Sequence, residues 1–320
     1  MDRRQRDGLL LLLVAAAGYA FFPILTKTLF ESGRFEPLDV LFLRFLLAAP
    51  ITWAVIWRMR LSKPHPKSLS TSGEELQSSP VPPLPRFRLM GMGALFAFTA
   101  GSAFFALERI PASTFTVVIY SYPAIVALLS LFMGERLSGR GWIALGLTIL
   151  GIILTVPDFG SGFTDMLGVV FTLLNAVTYA LYIVVSGRLL RGHSNLAGAS
   201  AWSISGTFLT MVGVSLLRGV NWPADASQWA SLMAMAAIST VIPIFAFYAG
   251  MQKLGAARAA ILSTVEPVFT LALAFLLLGE RIQAIQILGA ALILGSVILL
   301  QLGRGEQNTP IQSEAQADPV

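Results

Sequence analysis

The residue with the clearest chemical signal is Glu266, an acid inside an apolar stretch of sequence. Pro267 follows it, and Ser263 and Thr270 fall on the same face of a helix. A carboxylate in hydrocarbon is costly unless it is protonated, paired or hydrated. Glu266 is therefore a candidate to bind a proton or the amine of a small molecule. The alternative is a neutral carboxyl group that braces the helix at Pro267.

A stripe of polar and aromatic side chains marks a second apolar stretch. Asn175, Tyr179, Tyr182 and Ser186 follow the spacing i, i+4, i+7 and i+11, which places them on one helical face. Because polar groups that faced lipid would lose hydrogen bonds, this face is expected to contact other helices or a wet cavity. A phenol offers both a ring and a hydroxyl group, which suits a small amphipathic metabolite. Helix-to-helix hydrogen bonding is the alternative.

Similar residues in other apolar stretches extend this predicted cavity. Near the N-terminus, the positions that match the stripe are Ala15, Tyr19, Phe22 and Thr26. The sequence predicts a substrate cavity with no catalytic residue, metal or cofactor, and its predicted lining is Tyr19, Phe22, Tyr122, Asn175, Tyr179, Tyr182, Tyr248 and Glu266.

Arg44 is the other charge deep in an apolar stretch, roughly 10 Å from the end of its helix at ~1.5 Å per residue. The favoured interpretation is structural, because long basic side chains reach outward or hydrogen-bond to backbone carbonyl groups. The minor alternative is that Arg44 holds the carboxylate of a bound molecule.

Composition places these residues in a membrane. The 320 residues are 55% hydrophobic and only 12% charged, with a mean hydropathy of +0.73, which leaves too little polar surface for a soluble globule. Apolar stretches of roughly 20 residues recur throughout. We predict an all-α integral membrane protein with ten transmembrane helices, at 8–29, 37–57, 88–107, 112–133, 139–156, 164–186, 198–217, 229–250, 257–278 and 284–302.

Within these spans, prolines and small residues predict local features. Each of Pro23, Pro123, Pro243 and Pro267 removes one helical hydrogen bond inside its span, which exposes a carbonyl group and allows a bend. The stripe at Gly93, Ala97 and Gly101 predicts close helix packing rather than ligand contact. Outside the spans, the composition predicts a polar linker at 58–88 and a disordered tail at 303–320.

The basic residues predict the orientation, since Lys and Arg gather in cytoplasmic loops. With both termini cytoplasmic, 16 of the 22 Lys and Arg residues fall on the cytoplasmic side. The other side keeps Arg34, Arg109, Arg218 and Arg281. The net charge of +5 is thus explained by topology and lipid headgroups, and no nucleic-acid partner is expected. A cleaved signal peptide at the basic N-terminus is the minor alternative.

Two parts of the sequence resemble each other. The segment at 111–154 matches that at 254–298, with Gly-Glu-Arg triplets at 134–136 and 279–281 and with Pro123 opposite Pro267. We predict two five-helix repeats, at 1–157 and 158–302. Because five is odd, the second repeat would enter the bilayer from the opposite side, which makes an inverted repeat. Shared apolar composition explains single matches but poorly explains several landmarks in one order.

These landmarks resemble the EamA family of the drug/metabolite transporter superfamily. The resemblance is carried by RFLLAAPITW at 44–53, by the segment from Pro123 to GERL at 123–137, and by the repeat from Glu266-Pro267 to GERI at 279–282. It covers about residues 8–302. The resemblance implies an inner-membrane carrier, often an exporter of amino acids or other small metabolites, that works by alternating access. The linker at 58–88 is longer than the resemblance implies.

Other classes of function find less support. The chain has no cysteine, and His65 and His193 lie in predicted loops, so an enzyme site is not expected. No phosphate-binding loop for ATP occurs. A receptor or scaffold would have no use for Glu266, and a carrier of sugar phosphates or nucleotide sugars would need several buried basic residues. We predict a multi-pass inner-membrane exporter of amino acids or amphipathic, basic metabolites, with protons as a candidate coupling ion.

Overall fold

The computed structural model describes residues 3–61, 84–132, 139–155, 165–190, 193, 195–254, 259 and 262–307. This part of the chain is helical and contains no strand. The helices are α1 (Arg3–Glu31), α2 (Pro37–Leu61), α3 (Arg86–Arg109), α4 (Ala112–Ile119), α5 (Tyr122–Phe132), α6 (Gly139–Thr155), α7 (Met166–Leu189), α8 (Leu196–Arg218), α9 (Ala226–Ala236), α10 (Ile242–Leu254), α11 (Glu266–Leu278) and α12 (Ala284–Gln307).

The described residues include seven helical segments that are long and apolar enough to cross a membrane. They are Arg3–Glu31, Pro37–Met59, Arg86–Arg109, Ala112–Leu129, Met166–Leu189, Leu196–Arg218 and Ala226–Leu254. Three shorter apolar helices fall at the other predicted positions, namely Gly139–Thr155, Glu266–Leu278 and Ala284–Leu299. The prediction of an all-α membrane protein is confirmed, and the count of ten spans stays a prediction.

Two predicted spans are interrupted beside proline. The span predicted at 112–133 divides at Tyr120 and Ser121, just before Pro123. In the span predicted at 257–278, a turn at 264–265 precedes Pro267, and α11 begins after it. Proline has no backbone N–H and clashes with the preceding turn, so these interruptions follow from the sequence.

The other two prolines behave differently from each other. Pro243 follows a π-helical turn, Ala237–Val241, which joins α9 to α10. Pro23 lies inside α1, which continues without interruption from Arg3 to Glu31. The helix is therefore irregular at Pro243 and continuous at Pro23, where a bend stays a prediction.

Close backbone contact joins α3 to α8. A Cβ atom at Gly93 would collide with the carbonyl oxygen of Ser203, and one at Gly206 would collide with Met90. The Thr207 hydroxyl donates to the Gly93 carbonyl oxygen at 3.0 Å. The predicted close packing is confirmed at Gly93, since only a residue without a side chain lets the two backbones approach this far.

The second Gly-Glu-Arg triplet ends α11 and ties it to α4. Glu280 accepts hydrogen bonds from the backbone N–H groups of Ala112 at 2.7 Å and Ser113 at 3.0 Å, and from the Ser113 hydroxyl at 2.6 Å. A carboxylate is favourable there because the first N–H groups of a helix lack partners within it. Nearby helix ends are also linked, since Arg109 pairs with Asp165 at 3.1 Å.

The last helix is longer than predicted, and three other predicted features lie wholly or partly outside the described residues. The last helix continues to Gln307, past the predicted end at 302. The first Gly-Glu-Arg triplet at 134–136, residues 62–83 of the predicted linker and the tail from 308 lie outside the described residues.

The α3–α8 contact predicts a sharp difference between two glycines of α3. We expect Gly93→Ala to lower the free energy of unfolding by about 1–3 kcal/mol, because the added methyl group must push the helices apart. Gly91→Ala should be neutral or stabilising, since a Cβ at Gly91 meets nothing within 4 Å. Thermal unfolding of both variants in detergent measures this, and equal melting temperatures would contradict the described packing.

Candidate functional site

All six tyrosines of the chain gather around one carboxyl group. Four of them interact electrostatically with Glu266: Tyr19 from α1, Tyr120 and Tyr122 at the α4–α5 interruption, and Tyr179 from α7. Tyr182 and Tyr248 complete the cluster through their interactions with Tyr19. Helices that are distant in sequence thus bring these phenols together.

Ring contacts give the cluster its shape. The ring centroids of Tyr122 and Tyr179 lie 5.0 Å apart in an edge-to-face arrangement, and those of Tyr120 and Tyr122 lie 6.0 Å apart. Tyr179 and Tyr182 are nearly parallel at 6.4 Å. These separations fall in the favourable range for aromatic pairs, so the rings hold one another in place.

The carboxyl group of Glu266 has a direct partner in this cluster. The Tyr120 hydroxyl lies 2.9 Å from Glu266 Oε2 and 3.1 Å from the carbonyl oxygen of Ser263. In addition, the Thr270 hydroxyl donates to the backbone carbonyl oxygen of Glu266 at 3.2 Å. The first turn of α11 and the α4–α5 interruption therefore meet at the acid.

The side chains of the cluster are not fully covered by protein. Tyr19, Tyr122, Tyr179, Tyr182 and Glu266 are each partly exposed, although Tyr19 and Tyr179 lie well inside their helices and Tyr122 and Glu266 begin theirs at the interruptions. This arrangement is typical of residues that line an internal cavity.

Two hydroxyl groups at the edge of the cluster are fixed by α8. Tyr182 and Ser203 share a hydrogen bond of 3.1 Å, and Tyr248 and Ser200 share one of 2.8 Å. Because α8 is itself packed closely on α3 through glycine, these two hydrogen bonds fix the positions of both tyrosine hydroxyl groups along α8.

Asn175 has a different environment from the tyrosines on its stripe. Its side chain is 6% exposed, and Nδ2 donates to the backbone carbonyl oxygen of Thr99 at 2.5 Å. This contact joins α7 to α3. It is the helix-to-helix hydrogen bonding that was the alternative for the stripe.

Arg44 is buried rather than extended outward, with 8% of its side chain exposed. It donates to the Thr240 hydroxyl at 2.9 Å and to the Ser239 carbonyl oxygen at 3.3 Å. Pro243 has no N–H with which to donate to the carbonyl group of Ser239, four residues earlier, so Arg44 supplies a donor there. This contact supports the structural interpretation of Arg44.

Phe22 lies between Arg44 and the cluster. The Arg44 guanidinium carbon is 4.6 Å from the Phe22 ring centroid, within the range of a cation–π interaction. The Phe22 ring also packs edge-on against Phe104 at 5.4 Å. Tyr19 interacts electrostatically with both Arg44 and Glu266, so it lies between the two deep charges.

The structure thus brings together seven of the eight predicted site residues, with Phe22 at one edge and Asn175 turned to α3. Sequence reasoning missed Tyr120, which is two positions before Tyr122. In a regular helix that spacing is a rotation of about 200°, so the two rings would point to opposite faces. The interruption at 120–121 removes this constraint, and its signal in the sequence is Pro123.

Comparison with known proteins gives a consistent result. A family model described as "EamA-like transporter family" matches residues 6–156 and 166–302. The "Uncharacterized transporter YcbK" of Bacillus subtilis is 26% identical over 90% of this chain and 90% of that protein. The "Probable amino-acid metabolite efflux pump" of Escherichia coli is 26% identical over 69% of this chain and 79% of that protein.

A similar fold has also been solved. A crystal structure with 19% sequence identity aligns with a TM-score of 0.60 over 95% of this chain and 99% of that chain. At this identity the likeness shows the fold alone.

The contact of Asn175 predicts a structural phenotype. We expect Asn175→Leu to lower the free energy of unfolding by about 1 kcal/mol, because the α3–α7 hydrogen bond is lost. Thr178→Val is the matched control, since the Thr178 hydroxyl bonds only within its own helix, to Leu174 and Asn175. Thermal unfolding in detergent separates the two variants, and an Asn175→Leu protein as stable as the control would contradict the anchoring role.

Proposed function

Because the chain belongs to the EamA-like transporter family, and is therefore a membrane transporter rather than an enzyme, we propose that it is a secondary carrier that exports small metabolites. The observation that carries this proposal is Glu266, a partly exposed carboxyl group amid tyrosine rings. An ionisable residue inside a membrane bundle marks a substrate or ion path by default. The efflux pump among its relatives favours export as the direction.

The chemistry of the cluster favours amino acids or amphipathic, basic compounds as cargo. Aromatic faces attract cations within about 6 Å of the ring centroid, and Glu266 supplies a negative charge for an amine. The same carboxylate would bind a proton. Since one carboxylate neutralises one positive charge, proton and cargo would compete for it, which is what a proton-coupled exchanger requires.

We propose alternating access between two inverted five-helix halves, with Tyr19, Phe22, Tyr122, Tyr179, Tyr182, Tyr248 and Glu266 between them. Two separate matches to one family model, at 6–156 and 166–302, support a duplicated chain. Helix interruptions beside Pro123 and Pro267 support it as well, because they occupy matching places in the two segments. In this proposal the three shorter apolar helices also cross the membrane, which gives ten spans. Asn175 anchors α7 beside the cavity.

The proposed location is the inner membrane, with both termini in the cytoplasm. The distribution of Lys and Arg supports this orientation. Arg109 and Arg218, which would face outward, are held in ion pairs with Asp165 and Asp39. Arg109 and Arg218 are the last residues of α3 and α8.

The transport proposal is tested by metabolite profiling of the medium of bacteria that express the wild type, Glu266→Gln or an empty vector. We expect one class of amines or amino acids to accumulate outside with the wild type. With Glu266→Gln the accumulation should fall by about tenfold, since a charge-assisted contact to the cargo is lost.

Glu108→Gln is the matched control, because Glu108 is an exposed carboxyl group at the end of α3. It should export as the wild type does, at equal protein levels. A wild-type profile equal to that of the vector would contradict export, and normal export by Glu266→Gln would remove Glu266 from the mechanism.

The orientation predicts the behaviour of fusion proteins. Green fluorescent protein after Val320 should fluoresce, because it folds to its fluorescent form in the cytoplasm. Alkaline phosphatase after Asn221 should be active, because that enzyme works only outside the cytoplasm. The reverse pair of results would contradict the proposed orientation and the charge rule on which it rests.

A further inference from the structure

Tyr120 contacts two acceptors with a hydroxyl group that has one hydrogen. Its oxygen lies 2.9 Å from Glu266 Oε2 and 3.1 Å from the Ser263 carbonyl oxygen. A phenol can donate one hydrogen bond at a time and can accept others. Unless the one hydrogen is shared between the two acceptors, both contacts are hydrogen bonds together when the carboxyl group of Glu266 carries a proton and donates it to Tyr120.

The Ser263 carbonyl group lies at the interruption before α11. In a regular helix it would accept from the backbone nitrogen of residue 267, which is a proline and has no hydrogen. Tyr120 lies in the segment 111–154, which resembles the segment 254–298 that contains Ser263, and it brings a donor to this carbonyl group. A side chain at the α4–α5 interruption thus hydrogen-bonds to the backbone at the interruption before α11.

We propose that Tyr120 is a positioning residue that links the charge of Glu266 to the backbone at this interruption. When Glu266 is neutral, its O–H donates to Tyr120, and the hydrogen of Tyr120 goes to the Ser263 carbonyl oxygen. When the proton leaves to cavity water or is exchanged for a cargo amine, Tyr120 turns its hydrogen to the carboxylate and releases the carbonyl oxygen. The inference rests on the proposed role of Glu266 in binding a proton or an amine.

Other groups that face Glu266 do not offer this link. Tyr19 on α1, Tyr122 at the α4–α5 interruption and Tyr179 on α7 interact with the acid through space. Within the described residues, Tyr120 is the side chain that hydrogen-bonds to its carboxyl group. Arg44, the buried cation of α2, interacts with Tyr19 and is held at the π-helical turn.

A structural role of the Tyr120 ring can be separated from the proposed role of its hydroxyl group. The Tyr120 ring packs with Val117, Ala290 and Ile293, and Tyr120→Phe keeps these contacts while it removes the hydroxyl group. Tyr122→Phe is the matched control, because it removes a neighbouring hydroxyl that makes no hydrogen bond to Glu266.

The readout is amide hydrogen exchange at the start of α11, measured by mass spectrometry on the purified full-length protein over a range of pH. The N–H groups of Val268 and Phe269 donate to the Val265 carbonyl oxygen there, at 3.0 and 3.2 Å. After correction for the intrinsic pH dependence of exchange, we expect opening of this segment in the wild type to increase about fivefold as Glu266 ionises.

The variants decide between the interpretations. Glu266→Gln and Tyr120→Phe should show no pH-dependent step in this segment, whereas Tyr122→Phe should keep the wild-type step. A step that survives in Tyr120→Phe, or a wild type without one, would overturn the inference. Neither result touches the carrier proposal, which is decided separately by the medium profiles of Glu266→Gln.

A second variant keeps the test sound if Tyr120→Phe does not fold, as judged by thermal unfolding. Incorporation of 3-fluorotyrosine at position 120 keeps the ring and hydroxyl but changes the strength of its hydrogen bonds. The pH at which the exchange step occurs should then move, and an unchanged step would overturn the inference.

Discussion

The constraint on which this structure depends is that backbone hydrogen bonds inside a membrane must be satisfied by the protein itself. Proline withdraws a donor, and this chain places Pro243 and Pro267 inside apolar spans, each as the second residue of a helix. In both cases a polar side chain from another helix reaches the affected carbonyl oxygen: Arg44 at Ser239 and Tyr120 at Ser263. The side chains that supply these two donors bring polar groups into the centre of the bundle.

These two contacts also explain why the candidate site lies where it does. Glu266 is the first residue of α11 and lies at the interruption where Tyr120 reaches the Ser263 carbonyl oxygen. A carboxyl group in unbroken helix, turned to lipid, would have neither a donor nor a cavity near it. The polar interruption and its phenols make the acid tolerable, and they leave it partly exposed.

Much of this could be predicted from the sequence because it depends on local patterns. Hydropathy located the helices, and helical periodicity put Tyr179 and Tyr182 on one face. The isolated charge identified Glu266. What sequence could not supply were contacts between distant elements, such as Asn175 with Thr99 and Arg44 with the π-helical turn. Tyr120 escaped because regular helical spacing no longer holds across an interruption.

The first region of the chain, 6–156, packs against the second, 166–302, and this has a consequence for synthesis. Helices α1, α3 and α6 of the first region pack against α10, α8 and α12 of the second, and Glu280 near the end of the chain completes the start of α4. At about 5–20 residues per second, the ribosome needs roughly 7–30 s to make the second region. During that interval the faces of α1, α3 and α6 that the second region covers in the folded protein, including the close glycine contact of α3, have no protein partner.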